Sequence, residues 1–133
     1  VAILRYLALQ DSGRLINPMV VDGQIHGGVA HGIGNALFEW MGYDDGGQPV
    51  TTTFADYLMP TATEVPLVRT LYKQTPSPLN PLGVKGVGEA GTIPAAAALI
   101  SAIEDALSPF GVRIDHFPLT PRRIVELIRA SER

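Results

Sequence analysis

Two charged side chains stand inside a run of glycines. Lys85 and Glu89 lie in Pro81 to Gly91 (PLGVKGVGEAG), where Gly83, Gly86, Gly88 and Gly91 punctuate the loop. Glycine admits positive φ and lets backbone approach a ligand closely, so such a loop can turn a row of N–H groups toward one bound object. A lone carboxylate held there can act as a general base on a group it faces. The plainer alternative is a surface loop with a solvated glutamate. Gly86-Val87-Gly88-Glu89-Ala90-Gly91 spells a dinucleotide fingerprint literally. A proline-rich connector precedes it instead of a buried strand, and neither a βαβ unit nor a suitably spaced acidic residue supports it. Lys85 comes before Gly86 and no Lys-Ser/Thr pair follows, so it is no phosphate-binding P-loop either. His26, His31 and His116 match no metal-ligand spacing, and no metal ligand is expected from this chain.

These groups need elements to hold them. Val1 to Leu9 reads as a strand, Asp11-Ser12-Gly13 as a turn, and Arg14 to Ile16 as a short partner strand or an extended connector. Asn17-Pro18 starts a helix, with Asn17 as N-cap and Pro18 in the first position. Up to about Met41 the apolar residues Val21, Ile25, Val29, Ile33, Leu37 and Trp40 recur at helical spacing. Gly23, Gly27, Gly28, Gly32 and Gly34 fall in this helix, and each costs ~0.8–1 kcal/mol against alanine. Close packing along the bare face Gly28, Gly32, Ala36 is the favoured compensation; close approach to a cofactor is the other. Tyr43 to Gln48 is a turn, Pro49 to Phe54 a hairpin or return strand, Asp56 to Pro66 a loop, and Leu67 to Lys73 a strand. Pro94 to Leu107 is an alanine-rich helix ended by Ser108-Pro109, Gly111 to Phe117 a short strand, and Thr120-Pro121 the start of a last helix. The expected fold is therefore α+β: a mixed sheet of about four short strands packed with two long helices and a C-terminal helix.

The chain has 133 residues, enough for a single domain spanning 1–133. Hydrophobic residues make up 46% and charged residues 17%, an apolar balance that implies surface meant for a partner. A net charge of −3 with scattered basic residues gives no electrostatic case for nucleic acid. Cysteine is absent, which excludes disulfides, thiolate catalysis and a cysteine-ligated iron–sulfur cluster within the chain. No long apolar run or signal-peptide pattern occurs, so no membrane partner is expected and the default location is cytoplasmic. Starting at Val1 and entering a strand pattern at once, the chain reads as part of something longer.

Asn17 to Glu39 (NPMVVDGQIHGGVAHGIGNALFE), then DYLMPTATEVP, then Asn80 to Leu107 (NPLGVKGVGEAGTIPAAAALISAIEDAL) and the terminal LTPRRIVELI resemble, in order, one known family. It is the C-terminal end of the molybdenum-binding large subunit of the xanthine dehydrogenase, aldehyde oxidase and aerobic carbon monoxide dehydrogenase family, with the carbon monoxide dehydrogenase-like branch nearest. The resemblance implies a hydroxylase built on a molybdenum–pterin cofactor in dinucleotide form, oxidising a small carbon substrate such as carbon monoxide, an aldehyde or a heteroaromatic. It casts Glu89 as the general base and Gln24, beside Gly23, as a hydrogen-bonding partner of the cofactor. Lys85, Gly86, Val87 and Gly88 would line the same pocket. Implied partners are the remainder of the large subunit and the FAD-binding and iron–sulfur subunits of one complex. Position 26, histidine here, is acidic in the xanthine branch, so xanthine chemistry does not transfer.

The family's large subunit is several times longer, so the chain is expected to carry the base and one wall of a site. Alone, it should self-associate, bind no cofactor and be inactive. The rival reading is a free-standing, non-catalytic domain derived from that family, which oligomerises or binds a partner. Retention of both Gln24 and Glu89 favours the enzymatic reading.

Overall fold

The structure, a computed structural model, describes residues 1–131. Its longest element is α1 (Pro18–Leu37), a helix of 20 residues. The Asn17 side chain accepts from the Val20 amide at 3.2 Å, and Pro18 occupies the first turn. The cap thus satisfies one of the amide donors that every helix start leaves unpaired. Val21, Ile25, Val29, Ile33, Ala36 and Leu37 make one buried stripe, with Ile25, Val29 and Ile33 at most 1% exposed. Burying each of these large side chains is worth ~1.5–3 kcal/mol, which makes this stripe the main source of cohesion.

Strand β1 (Tyr6–Gln10) and strand β2 (Val68–Tyr72) pair in parallel, with Tyr6 opposite Val68 and Gln10 opposite Tyr72. Parallel neighbours need a long crossover, which α1 and the segment 38–67 supply. Asp22 on α1 ties the helix to β2 by accepting from the hydroxyls of Thr70 and Tyr72. The Thr70 bond and then the Tyr72 bond hold its carboxyl below the ordinary aspartate range. α2 (Ala95–Ala106) lies against α1, contributing Leu99 and Ile103 to the core. A short 3-10 helix, Ser108–Phe110, follows, and Gly111 ends it in a left-handed conformation at φ 64°. α3 (Pro121–Ser131) begins where the Thr120 hydroxyl accepts from the Arg123 amide, and sets Ile124 and Leu127 against the core edge.

The expected sheet of about four mixed strands is not what forms. Among the described residues, two parallel strands and three α-helices make the fold, and only α1 is long. Each missing strand has a local cause. In 49–54 the hydroxyls are spent on the chain itself: Thr51 Oγ1 accepts from the Gly42 amide at 3.0 Å, and Thr53 Oγ1 donates to Asp56 Oδ2 at 2.9 Å. Such side-chain bonds compete with a ladder, and only a single antiparallel bridge, Tyr43 to Pro49, remains of the hairpin. Arg14 to Ile16 forms no strand: the chain bends at Arg14 and Ile16, and the nearby bridge, Gly13 to Val84, lies just before it. In 111–117 no strand pairs. Val112 and, beyond it, Leu119 are buried as single anchors, and the Leu119 amide donates to the Ala36 carbonyl at 2.7 Å.

Candidate active site

The glycine loop sits where α1 meets the start of α2. Gln24 Nε2 donates to the Gly88 carbonyl oxygen at 2.6 Å, joining two site candidates 64 residues apart in sequence. Glu89 follows directly, its side chain exposed and its carbonyl accepting from the amides of Thr92 at 3.0 Å and Ile93 at 3.1 Å. Val87 packs against the core and anchors the loop from below. Within the loop, the Ala90 amide donates to the Val87 carbonyl at 3.2 Å and so winds the turn into α2 rather than pointing outward.

The glycines divide into groups with different physical reasons. Gly28 and Gly91 are a backbone-to-backbone contact: a Cβ on Gly28 would lie 2.9 Å from Gly91 Cα, and one on Gly91 only 2.5 Å from the Ile25 carbonyl. A Cβ on Gly32 would collide with Ala95 at 2.3 Å. The bare face expected on α1 is therefore a packing surface for the loop and α2. The Thr92 hydroxyl closes that contact by donating to the Gly28 carbonyl at 3.2 Å. Gly83 alone among the loop glycines needs positive φ, at 67°. Gly23, Gly27, Gly86 and Gly88 are different again, since a Cβ at any of them would meet nothing within 4 Å.

Lys85 is held at the start of the loop. Its ammonium donates to Asp11 Oδ2 at 3.0 Å and to Thr75 Oγ1 at 2.7 Å, while its amide donates to the Ser12 carbonyl at 2.9 Å. Asp11 also accepts from the amides of Gly13 at 2.9 Å and Thr75 at 3.1 Å and from the Thr75 hydroxyl. The Thr75 hydroxyl, then Lys85, then the amides hold the Asp11 carboxyl well below the usual carboxylate range. Sequence reasoning reads Asp11 only as part of a turn, because its partners lie 64 and 74 residues away. Its strand-end position is the one signal that could have marked it.

A sequence profile described as "Molybdopterin cofactor-binding domain" matches residues 1–66. The chain is 48% identical over 123 residues to the 6-hydroxypseudooxynicotine dehydrogenase complex subunit gamma of Paenarthrobacter nicotinovorans, covering 92% of this chain and 15% of that protein. It is 38% identical over 122 residues to the carbon monoxide dehydrogenase large chain of Hydrogenophaga pseudoflava, covering 92% and 15%. The crystal structure of quinoline 2-oxidoreductase from Pseudomonas putida 86 superposes with a TM-score of 0.94 at 48% identity, over 96% of this chain and 16% of that one. The chain belongs to the xanthine dehydrogenase, aldehyde oxidase and carbon monoxide dehydrogenase family of molybdenum-binding subunits. It spans about 15% of the length of the curated family members it matches.

Membership gives the glycines with open space a physical reading. Gly23 and Gly27 weaken α1 by ~0.8–1 kcal/mol each with no packing inside the chain to offset it. Gln24 and Gly27, three apart, are neighbours on the helix surface. Bare backbone at Gly23 and Gly27 leaves room for a large flat group to approach the helix surface beside Gln24. Among the described residues no group of three or more His, Cys, Asp or Glu side chains is placed to hold a metal ion. His26 and His31 are exposed on α1, and His116 is paired with its neighbour Asp115. Among the described residues no helix is long and apolar enough to cross a membrane.

Proposed function

We propose that this chain is the part of a molybdenum hydroxylase large subunit that supplies the general base, Glu89, and one wall of the cofactor site. The observation that carries the reading is the bare, exposed backbone of Gly23, Gly27, Gly86 and Gly88 around the Gln24–Gly88 bond, with a free carboxylate one residue on. When bound, the molybdenum–pterin cofactor, here in dinucleotide form, supplies the two-electron oxidising centre. Gln24, fixed through Nε2, keeps its amide oxygen available toward that group. Gly86 and Gly88 admit the group close to the backbone, and Val87 holds the loop to the core so that Glu89 does not drift. Glu89 accepts the proton released as the substrate carbon is attacked, a step worth ~10²–10⁴-fold in rate. Lys85 serves this wall by holding the start of the loop to Asp11 and Thr75.

Among carbon monoxide, aldehydes and heteroaromatics, we favour a nitrogen heteroaromatic substrate. The two matches at 48% identity carry names built on 6-hydroxypseudooxynicotine and quinoline, against 38% for a carbon monoxide dehydrogenase. The remainder of the large subunit would complete the pocket, and FAD-binding and iron–sulfur subunits would take the electrons onward. Nothing in the site favours the non-catalytic alternative.

The test is to assay the complete complex carrying this chain with quinoline, an aldehyde and carbon monoxide, measuring molybdenum by mass spectrometry alongside. Ring hydroxylation of the heteroaromatic, with one molybdenum per large subunit, is the expected result. A complex free of molybdenum would overturn the reading as a whole. Turnover of carbon monoxide or the aldehyde alone would overturn the substrate class.

A further inference from the structure

The sheet stops short of the helices beneath it. A groove of about 1040 Å³ runs between residues 1–10 and α2, floored by the core residues Ile25 and Val29 and walled by Ala98 and Ala102. β1 forms one side of this groove and, among the described residues, has β2 as its only strand neighbour. The Lys73 amide donates to the Gln10 carbonyl at 3.0 Å, and with Gln10 opposite Tyr72 this fixes which peptide groups face β2. They are those of Tyr6, Ala8 and Gln10, so the N–H and C=O groups of Leu7 and Leu9 point to the other edge. The face of the sheet away from the core carries Leu7 at 59%, Leu9 at 66% and Leu71 at 40% exposure.

An edge that is apolar, extended and unpaired is a template for another strand, and parallel sheets are ordinarily covered on both faces. Only Arg5 and Asp105 among the groove's walls carry charged side chains, so an occupant gains from apolar burial and main-chain bonds rather than ion pairs. The matched family members carry this same fold within chains of which it is 15–16%. We infer that the β1 edge takes an extended, uncharged, β-branched-rich segment from the rest of the molybdenum subunit. That segment pairs with the Leu7 and Leu9 peptide groups and extends the sheet over α2. This rests on the chain acting as part of such a subunit, but it concerns the β1 edge rather than the Glu89 carboxylate, although Ala90 and Gly91 also line the groove, and it is read without turnover.

Hydrogen exchange at single amides tests it, comparing the 133-residue chain with the complete large subunit in its complex. The Ala8 and Gln10 amides, paired to β2, are the internal reference. In the complete subunit the Leu7 and Leu9 amides should exchange as slowly as that reference, and in the chain alone roughly a hundredfold faster or more. Leu9→Pro removes only an outward N–H, so it should spare the β1–β2 pair in the chain alone and lower the melting temperature of the complete subunit. Fast exchange at Leu7 and Leu9 in the complete subunit would overturn the inference, even if that complex hydroxylates its substrate. Protection in the chain alone that disappears on dilution would overturn the choice of occupant in favour of a second copy.

Discussion

Gln24 and Gly88 are joined by one hydrogen bond, amide nitrogen to carbonyl oxygen at 2.6 Å, and that bond connects the first turns of α1 to the residue before Glu89. Because both partners are solvent-exposed, its net worth to stability is at the low end of ~0.5–1.5 kcal/mol. Gln24→Ala should therefore lower the melting temperature only slightly, while amide exchange through 86–91 rises and the complete enzyme loses cofactor. Calorimetry, exchange and molybdenum content measured together check this. Unchanged exchange in the loop would remove Gln24 from its positioning role.

The glycines of α1 give a paired prediction. Gly28→Ala places a Cβ within 3.0 Å of Gly91 backbone, which must move, and overpacking of this kind costs ~1–3 kcal/mol. Gly27→Ala, one residue away, meets open space and should instead stabilise the isolated chain by up to ~0.8–1 kcal/mol through helix propensity. In the complete enzyme the same Gly27→Ala should reduce cofactor content, because the space it fills is the space the proposal assigns to the cofactor. Equal melting temperatures for the two variants would contradict the division between packing and open glycines.

Asp11 sets the pH behaviour of the loop's anchor. Its folded pKa is depressed by the Thr75 hydroxyl and then Lys85, so its contribution is fully present above the ordinary aspartate value and is lost as pH falls through the lower folded value. Asp11→Asn should therefore weaken the anchor at neutral pH. The gap in melting temperature from the wild-type chain should persist down to about pH 4 and close only in stronger acid. A gap that closes while pH is still near neutral would mean that another group is titrating.

Where the sequence carries a long period or a strong cap, it places elements within a few residues. Asn17-Pro18 and Thr120-Pro121 start α1 and α3 as expected, and Val68–Tyr72 lies inside the strand expected at 67–73. The same reasoning overcounts strands at 49–54 and 111–117, because threonine and valine favour a pleated surface only where a neighbour offers a ladder. It also leaves the relative direction of β1 and β2 open within a mixed sheet, since direction is set by pairing over some sixty residues. The contact between Gly28 and Gly91 is partly legible as a bare helix face, but the helix pattern does not identify what covers it. Asp11 is legible only as a turn residue and Asp22 not at all, because their distant partners lie on other elements.

The central claim is that Glu89 is the base. In the complete complex, kcat of Glu89→Gln should be measured against wild type per molybdenum bound, since amide and carboxylate match in shape and only one accepts the proton. The account predicts full molybdenum occupancy with kcat reduced by at least ~100-fold. A variant that keeps its molybdenum and more than about a hundredth of the wild-type kcat would contradict it.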